Sequence, residues 1–320
     1  MSLLQEISIS TGLGASDVLR IIGTAPARYK VFPIEKRGGG IRLIAQPSRE
    51  LKVLQRLVLE ERLNRLQVHK AATAYVIGRN ISDNAQAHKN NAVILKLDFE
   101  NFFPSIRVRD WKTYMEKRAP DLLLDASLLT NILFWGQIKN SITPKCLSIG
   151  APTSPKISNL VMYEFDEIVS RAAEELEIAY TRYADDITIS GPNIDSVIKL
   201  ERFIRNTVKE LKSPQLKINE AKRGLYTKGQ RRMVTGLILT PEGKVSIGRQ
   251  RKRKISTLLH KFSLGQLAIS DVGFLKGMLG FSIANEPIFV SRMREKYGSE
   301  ILNKVLATEI PTKDLPHPKR

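Results

Sequence analysis

Two short stretches constrain the fold of this chain more than any others. "NAVILKLDF", residues 91–99, is an almost continuous apolar run that stops on Asp98, and "YTRYADDITIS", residues 180–190, sets Asp185 beside Asp186 between two short apolar segments. The first reads as a strand buried on both faces. The second reads as a hairpin with its two carboxylates at the tip. Carboxylates held close together near a buried sheet repel one another and cost free energy unless a cation or a proton relieves them. Ala-Asp-Asp on its own would also serve as ordinary turn chemistry. A third carboxylate, Asp98, at the end of another apolar strand shifts that balance. If the two strands are sheet neighbours, Asp98 and Asp185 converge on one point. Hard oxygen ligands with positions left for water and phosphate suit Mg²⁺, and two such ions would support in-line phosphoryl transfer.

The elements around these stretches predict an α+β core. Residues 1 to about 30 read as short helices, with Ser16 as an N-cap before Val18, Leu19, Ile21 and Ile22. "RYKVFPIEKRGGGIRLIAQP" reads as a hairpin with a flexible tip at Gly38, Gly39 and Gly40, flanked by Lys36, Arg37 and Arg42. From Ser48 an amphipathic helix carries Leu51, Leu54, Val58 and Leu63, and a further helix is expected over 81–89. Helices are expected after Asp98, then one long helix from about Ser154 to Leu176 opened by a Gly-Ala-Pro turn. The hairpin follows, then a helix near 195–211, a strand near 216–219, and two strands around "RRMVTGLIL" and "KVSIG". Strand, helix, hairpin, helix, strand is a sheet with helices packed on one face.

The charge balance points to the partner. In 320 residues the chain has 51 Lys+Arg against 32 Asp+Glu, a net charge of +19, with 42% hydrophobic residues. That is enough apolar material for a substantial core, and a basic face that fits nucleic acid. No apolar span reaches membrane length and no basic amphipathic helix adjoins an anchor. "MSLLQEISIS" lacks the early cations of a signal peptide. Cys146 is the single cysteine, and His69, His88, His260 and His317 show no zinc-ligand spacing with it. A cytoplasmic protein without structural zinc is expected.

"YADD" at 183–186 resembles the catalytic signature of reverse transcriptases, and further blocks follow that family's order: "RLIAQPSRELKVLQ", "LKLDFENFFPSI", "GAPTSPKISNL" and "KINEAK". The resemblance covers roughly residues 30 to 260. Within the family the chain resembles the bacterial retron enzymes, because "NAQAH" (84–88) and "VTG" (234–236) match their two hallmark blocks. Family members usually carry Gln before Gly-Ala-Pro, where this chain has Ile149.

The resemblance implies a right hand: fingers over 1–91, an RRM-like palm over 92–240, and a basic helical thumb over 241–320. Asp98 and Asp185 would bind both metal ions, with the Phe99 carbonyl as a further ligand and Asp186 nearer the primer end. Lys222 would protonate departing pyrophosphate, although a lysine after an apolar strand is also an ordinary surface residue. Tyr183 would pack against the primer terminus. Phe103 matches the bulky side chain that excludes a 2′-hydroxyl, while its neighbour Phe102 reads as core. Lys36 and Arg42 would close on the triphosphate of a dNTP, the alternative being a solvated loop. Gly150, Ala151 and Pro152 would let backbone approach the nucleotide. Asn84 and His88 share a helix face, as a capping pair or, with Val234, Thr235 and Gly236, as the RNA-recognition blocks. Arg249, Arg251, Lys252, Arg253 and Lys254 would track the primer and template backbone.

Together these features imply an RNA-directed DNA polymerase using two Mg²⁺ ions and dNTPs. By resemblance to retrons it would copy part of a structured non-coding RNA into branched, RNA-linked single-stranded DNA, primed from a guanosine 2′-hydroxyl. A separate effector protein in anti-phage defence also belongs to that expectation, and the sequence leaves open whether the chain forms an oligomer. Two other readings stay open: an intron-encoded maturase, which would need room for a large further domain, and an RNA-binding scaffold whose acidic cluster is structural.

Overall fold

The computed structural model describes residues 2–36 and 39–309. Arg37 and Gly38 of the expected basic tip, and His317 with the rest of 310–320, lie outside them. Two helices open the chain: α1 (Leu3–Thr11), capped by the Ser2 hydroxyl, and α2 (Ala15–Thr24). Gly14 rather than Ser16 is the N-cap of α2, so Ser16 sits in its first turn. β1 (Tyr29–Glu35) and β2 (Ile41–Pro47) form the expected antiparallel ribbon, in register from Tyr29 opposite Pro47 to Glu35 opposite Ile41. Ser48 then caps α3 (Arg49–Val58), which buries Leu51, Leu54 and Val58 and widens into a π-turn over Leu59–Leu63.

After α4 (Ile81–Gln86) come β3 (Val93–Asp98), α5 (Phe102–Ser105), α6 (Val108–Arg118) and α7 (Ala126–Leu133). The long helix expected over 154–176 is two helices, α8 (Ser154–Val161) and α9 (Tyr163–Glu175), interrupted at Met162. β4 (Ala179–Tyr183), β5 (Asp186–Gly191) and α10 (Ile194–Glu210) follow. The strand expected over 216–219 is reduced to a single bridge between Ile218 and Phe99. There the Asn219 N–H donates to the Asp98 carbonyl and the Glu100 N–H to that of Lys217, which ties the segment across the end of β3 instead of along it. The strand forms later, as β6 (Gly224–Thr227). "RRMVTGLIL" is a hairpin, not one strand: β7 (Arg232–Val234) and β8 (Leu237–Leu239) flank Thr235 and Gly236, both with positive φ, +46° and +83°. Two consecutive positive-φ residues make the tight turn whose twist matches paired strands. β9 (Val245–Ser246) precedes four helices, α11 (Arg249–Ser263), α12 (Ile269–Asn285), α13 (Pro287–Tyr297) and α14 (Ser299–Ala307).

The chain divides into two compact units. The first comprises the chain up to Arg79 together with Val93–Leu225. Its strands lie in the order β4-β5-β3, with α9 and α10 packed against them, and the four-stranded order closes with β6, which runs across the boundary at Leu225. Ile94, Leu95, Ile187 and Ile189 of the strands and Val169, Val197, Leu200 and Ile204 of the helices have no accessible surface. Each such side chain contributes about 1.5–3 kcal/mol by leaving water. The second unit joins Asn80–Ala92 to the chain from Tyr226, so the segment carrying α4, expected with the fingers, packs with the C-terminal part. Within it the sheet has the order β7-β8-β9, and buried Arg232 donates to the Asn91 and Thr240 carbonyls.

Candidate active site

β3 and β5 are antiparallel neighbours, and their register ends with Asp98 opposite Asp186. The expected convergence therefore occurs, with one change: Asp186 is the first residue of β5, and Asp185 stands in the turn with Ala184. Ala184 takes a left-handed φ of +59°, and the Phe99 N–H donates to the Asp185 carbonyl at 3.1 Å, locking the turn to the end of β3. Asp98 is 5% exposed. Its Oδ2 accepts from Lys222 Nζ at 2.7 Å, while its Oδ1 is buried without a hydrogen-bond partner.

The electrostatics follow from this crowding. Asp185 is held above the usual carboxylate range by burial first and by the Asp98 charge second. Asp186 is pushed up to about 6, again by burial, with Asp98 and Asp185 adding to it and Lys96 opposing. Burial works against the Lys222 ammonium, but its hydrogen bond to Asp98 and the three carboxylates outweigh that and raise it. Orphaned Asp98 Oδ1 beside two carboxyls reluctant to ionise is an arrangement that a bound cation relieves. Among the described residues no three His, Cys, Asp or Glu side chains gather closely enough to hold a metal ion alone. An ion at this place would need further ligands from backbone, water or nucleotide phosphate.

A cavity of about 430 Å³ is lined by Phe103, Gly150, Ala151 and Pro152 from the expected nucleotide site and by Ile149, and it adjoins the carboxylates through Tyr75, on which the Asp185 charge acts. Gly150 has φ +128°, and a Cβ there would stand 3.0 Å from the Ala45 carbonyl oxygen, so only glycine lets this turn press against β2. The Ala45 N–H donates to the Ile149 carbonyl at 3.0 Å. Phe102 is core, stacked on Phe99, whereas half-buried Phe103 faces the cavity. Arg42 is exposed on β2, and its charge reaches Asp185 and Tyr75. Lys36 is exposed, its backbone closing the ribbon tip with Gly39 and Gly40. Half-buried Tyr183 ends β4 opposite Asp186.

Lys52, Arg56, Tyr75, Ser148, Ser154 and Pro155 also line the cavity and lie outside the expected nucleotide site. Lys52 and Arg56 sit four apart on α3, the spacing that puts two cations on one helix face. Tyr75, with a left-handed φ of +60° rare for an aromatic, lies 6.5 Å from the Phe103 ring. The first two were visible as a cationic pair on an amphipathic helix; nothing in the local sequence marks Tyr75.

The hallmark blocks meet within the second unit, where the Thr235 hydroxyl donates to the Ile81 carbonyl at 2.9 Å. Asn84, His88 and Val234 are buried, and the Asn84 amide Nδ2 and Oδ1 lack a hydrogen-bond partner. Thr235 and Gly236 are partly exposed at the hairpin tip. The basic run of α11 is likewise divided. Lys252 pairs with Glu286 at 2.5 Å, Arg251 donates to the Gly236 carbonyl at 2.7 Å, and Lys254 lies over the Phe274 ring. Arg249 and Arg253 stand exposed, with no ion pair among the described residues.

A palm sheet whose strand ends gather carboxylates beside a nucleotide-sized cavity is polymerase geometry, and the chain belongs to the reverse transcriptases: the family model "Reverse transcriptase (RNA-dependent DNA polymerase)" matches residues 34–255. It is thus an RNA-directed DNA polymerase of the right-hand fold, acting on an RNA template and nucleotides. Within that family it groups with the retron enzymes. It is 38% identical over 307 residues to the retron Ec83 reverse transcriptase of Escherichia coli, covering 95% of this chain and 98% of that one. The retron Ec86 and Ec73 reverse transcriptases of Escherichia coli are 31% and 34% identical, over 95% and 94% of this chain and 93% and 95% of theirs. Among solved structures, telomerase from Candida albicans matches at 14% identity with a TM-score of 0.46, over 86% of this chain and 56% of that one. Among the described residues no helix is long and apolar enough to cross a membrane.

Proposed function

We propose that this polymerase copies part of a structured non-coding RNA from its own locus into single-stranded DNA, starting from a guanosine 2′-hydroxyl so that the product stays branched to the RNA. Asp98 and Asp185, with the Phe99 carbonyl, hold the catalytic cations, and Asp186 lies nearer the primer end. Two Mg²⁺ ions bound there would activate the attacking hydroxyl and neutralise the leaving pyrophosphate. Lys222, already protonated against Asp98, delivers a proton to that pyrophosphate. Phe103 lies under the incoming sugar and rejects a 2′-hydroxyl, the Gly150–Pro152 turn supports the nucleotide, and Arg42 with Lys36 closes on its triphosphate. Tyr183 packs on the primer end. Arg249 and Arg253 carry the backbone contact, and the Thr235–Gly236 tip faces the cognate RNA. The enzyme works in the cytoplasm with a separate effector protein in anti-phage defence, and an oligomeric assembly fits the same reading.

The observation that carries the chemistry is the register of Asp98 against Asp186 with the Asp98 Oδ1 left bare. The identity over nearly the full length of retron relatives supports the substrate. The test is extraction of nucleic acid from cells carrying the native locus. The wild type should yield an abundant small single-stranded DNA 2′-linked to RNA. Asp185→Asn with Asp186→Asn should yield none while the purified protein still binds the RNA. DNA synthesis retained by that variant would refute the metal assignment, and unbranched or absent DNA from the wild type would refute the retron product.

A further inference from the structure

We propose that Arg182 is a positioning residue of the active site: its buried guanidinium holds the Ala184 carbonyl and thereby fixes the turn that presents Asp185. Arg182 lies on β4, and its side chain has no accessible surface, nor has that of Asp166 on α9. Nε and Nη2 grip Asp166 at 2.8 and 2.6 Å, and Tyr180 Oη donates to the same carboxylate at 2.6 Å. A pair serving only to pin β4 to α9 needs nothing more. The remaining nitrogen, Nη1, turns toward the catalytic turn instead, donating to Ala184 O at 3.0 Å and to Asn159 Oδ1 at 3.1 Å.

Ala184 needs that support. Its φ of +59° brings Cβ toward the following carbonyl, a conformation that residues other than glycine adopt only when their surroundings enforce it. The same set of bonds reaches the nucleotide cavity. The Arg182 N–H donates to Ala71 O at 2.8 Å, its carbonyl accepts from Thr73 N at 2.8 Å, and Asn159 Nδ2 donates to Ala74 O at 2.8 Å. The next residue is Tyr75 in the cavity wall. Arg182 therefore joins the turn that carries Asp185 to the segment that carries Tyr75, all within the first unit. Only a planar fork with several donors spans these partners at once; a lysine ammonium does not.

The inference rests on Asp185 being a metal ligand, as read above. Its test is Arg182→Met combined with Asp166→Leu, which removes both buried charges together and leaves apolar packing that often preserves folding. Three quantities are measured: the thermal midpoint, Mn²⁺ half-saturation without nucleotide from the free-ion electron paramagnetic resonance signal, and kcat for dNTP incorporation with Mg²⁺. The expected result is a midpoint within a few degrees of the wild type, Mn²⁺ half-saturation raised at least about threefold, and kcat lowered at least about tenfold, in line with the cost of misplacing a reacting group. A folded double variant with wild-type Mn²⁺ binding and kcat overturns the proposal. If the double variant does not fold, Arg182→Lys, which keeps a cation against Asp166, is read by the same criteria: the same losses support the proposal and wild-type values overturn it. Asp185→Asn run in parallel separates the premises. Normal Mn²⁺ binding and synthesis in that variant would remove the metal assignment. An inactive Asp185→Asn beside normal Arg182 variants would remove the positioning role alone.

Discussion

His88 has no accessible surface, and burial pushes its imidazole down to about 3. In an unfolded chain the same group titrates near 6.5. Between those values the unfolded chain binds a proton that the folded chain refuses, so stability present above about 6.5 is lost as the pH falls toward 3. Inside that window the slope from one such group is about 1.4 kcal/mol per pH unit. Denaturant unfolding at pH 7, 5 and 4 should show this acid loss, and His88→Gln should flatten it by close to one proton. An unchanged slope in that variant would show that His88 is not the group responsible. Asp186 acts in the opposite sense. Its raised value means that its contribution is present at low pH and lost as the pH rises through about 6.

At the scale of elements, the catalytic geometry depends on how closely turns can approach strands. Gly150 is such a place at the cavity wall, its backbone against the Ala45 carbonyl. Gly150→Ala combines a disfavoured φ with a contact that must open by some tenths of an ångström, at a cost of about 1–3 kcal/mol. The thermal midpoint should fall by several degrees and the dNTP KM should rise more than kcat falls, measured by steady-state primer extension. A KM unchanged in a folded variant would show that this turn does not support the nucleotide. Strand order at the site was readable in advance because a continuous apolar run and an alternating hairpin each end on acid, and the register then had few solutions. A polar pair spaced i, i+4, such as Asn84 and His88, looks the same in sequence whether it faces solvent or is buried, as both are here. Arg182 was passed over within "YTRYADD" for a related reason: burial of a guanidinium depends on Asp166 and Asn159, two helices that the local pattern does not mention. The turn at Thr235 was missed because threonine and valine around a single glycine read as strand.

At the scale of the whole molecule, a net charge of +19 predicts RNA binding that weakens steeply with salt. The packing of α11 sharpens this. Arg249→Gln with Arg253→Gln should reduce the slope of log K against log salt by about 1.5, since each neutralised phosphate contributes about 0.7–0.9. Lys252→Gln should leave the slope nearly unchanged, because its ammonium is engaged with Glu286. Equal slope changes for the two variants, from filter binding between low and moderate salt, would show that the exposed pair has no special part in the contact.

The route of the backbone has one more consequence. The chain leaves its first unit at Arg79, contributes Asn80–Ala92 to the second, and returns at Val93 directly into the strand that ends on Asp98. The two units are therefore interlaced in sequence and cannot be exchanged as beads on a string. A chimaera joined at residue 225 would bring a foreign hairpin to a native α4, separating Thr235 from the Ile81 carbonyl to which it donates. A graft that moves the second unit intact has to carry both segments.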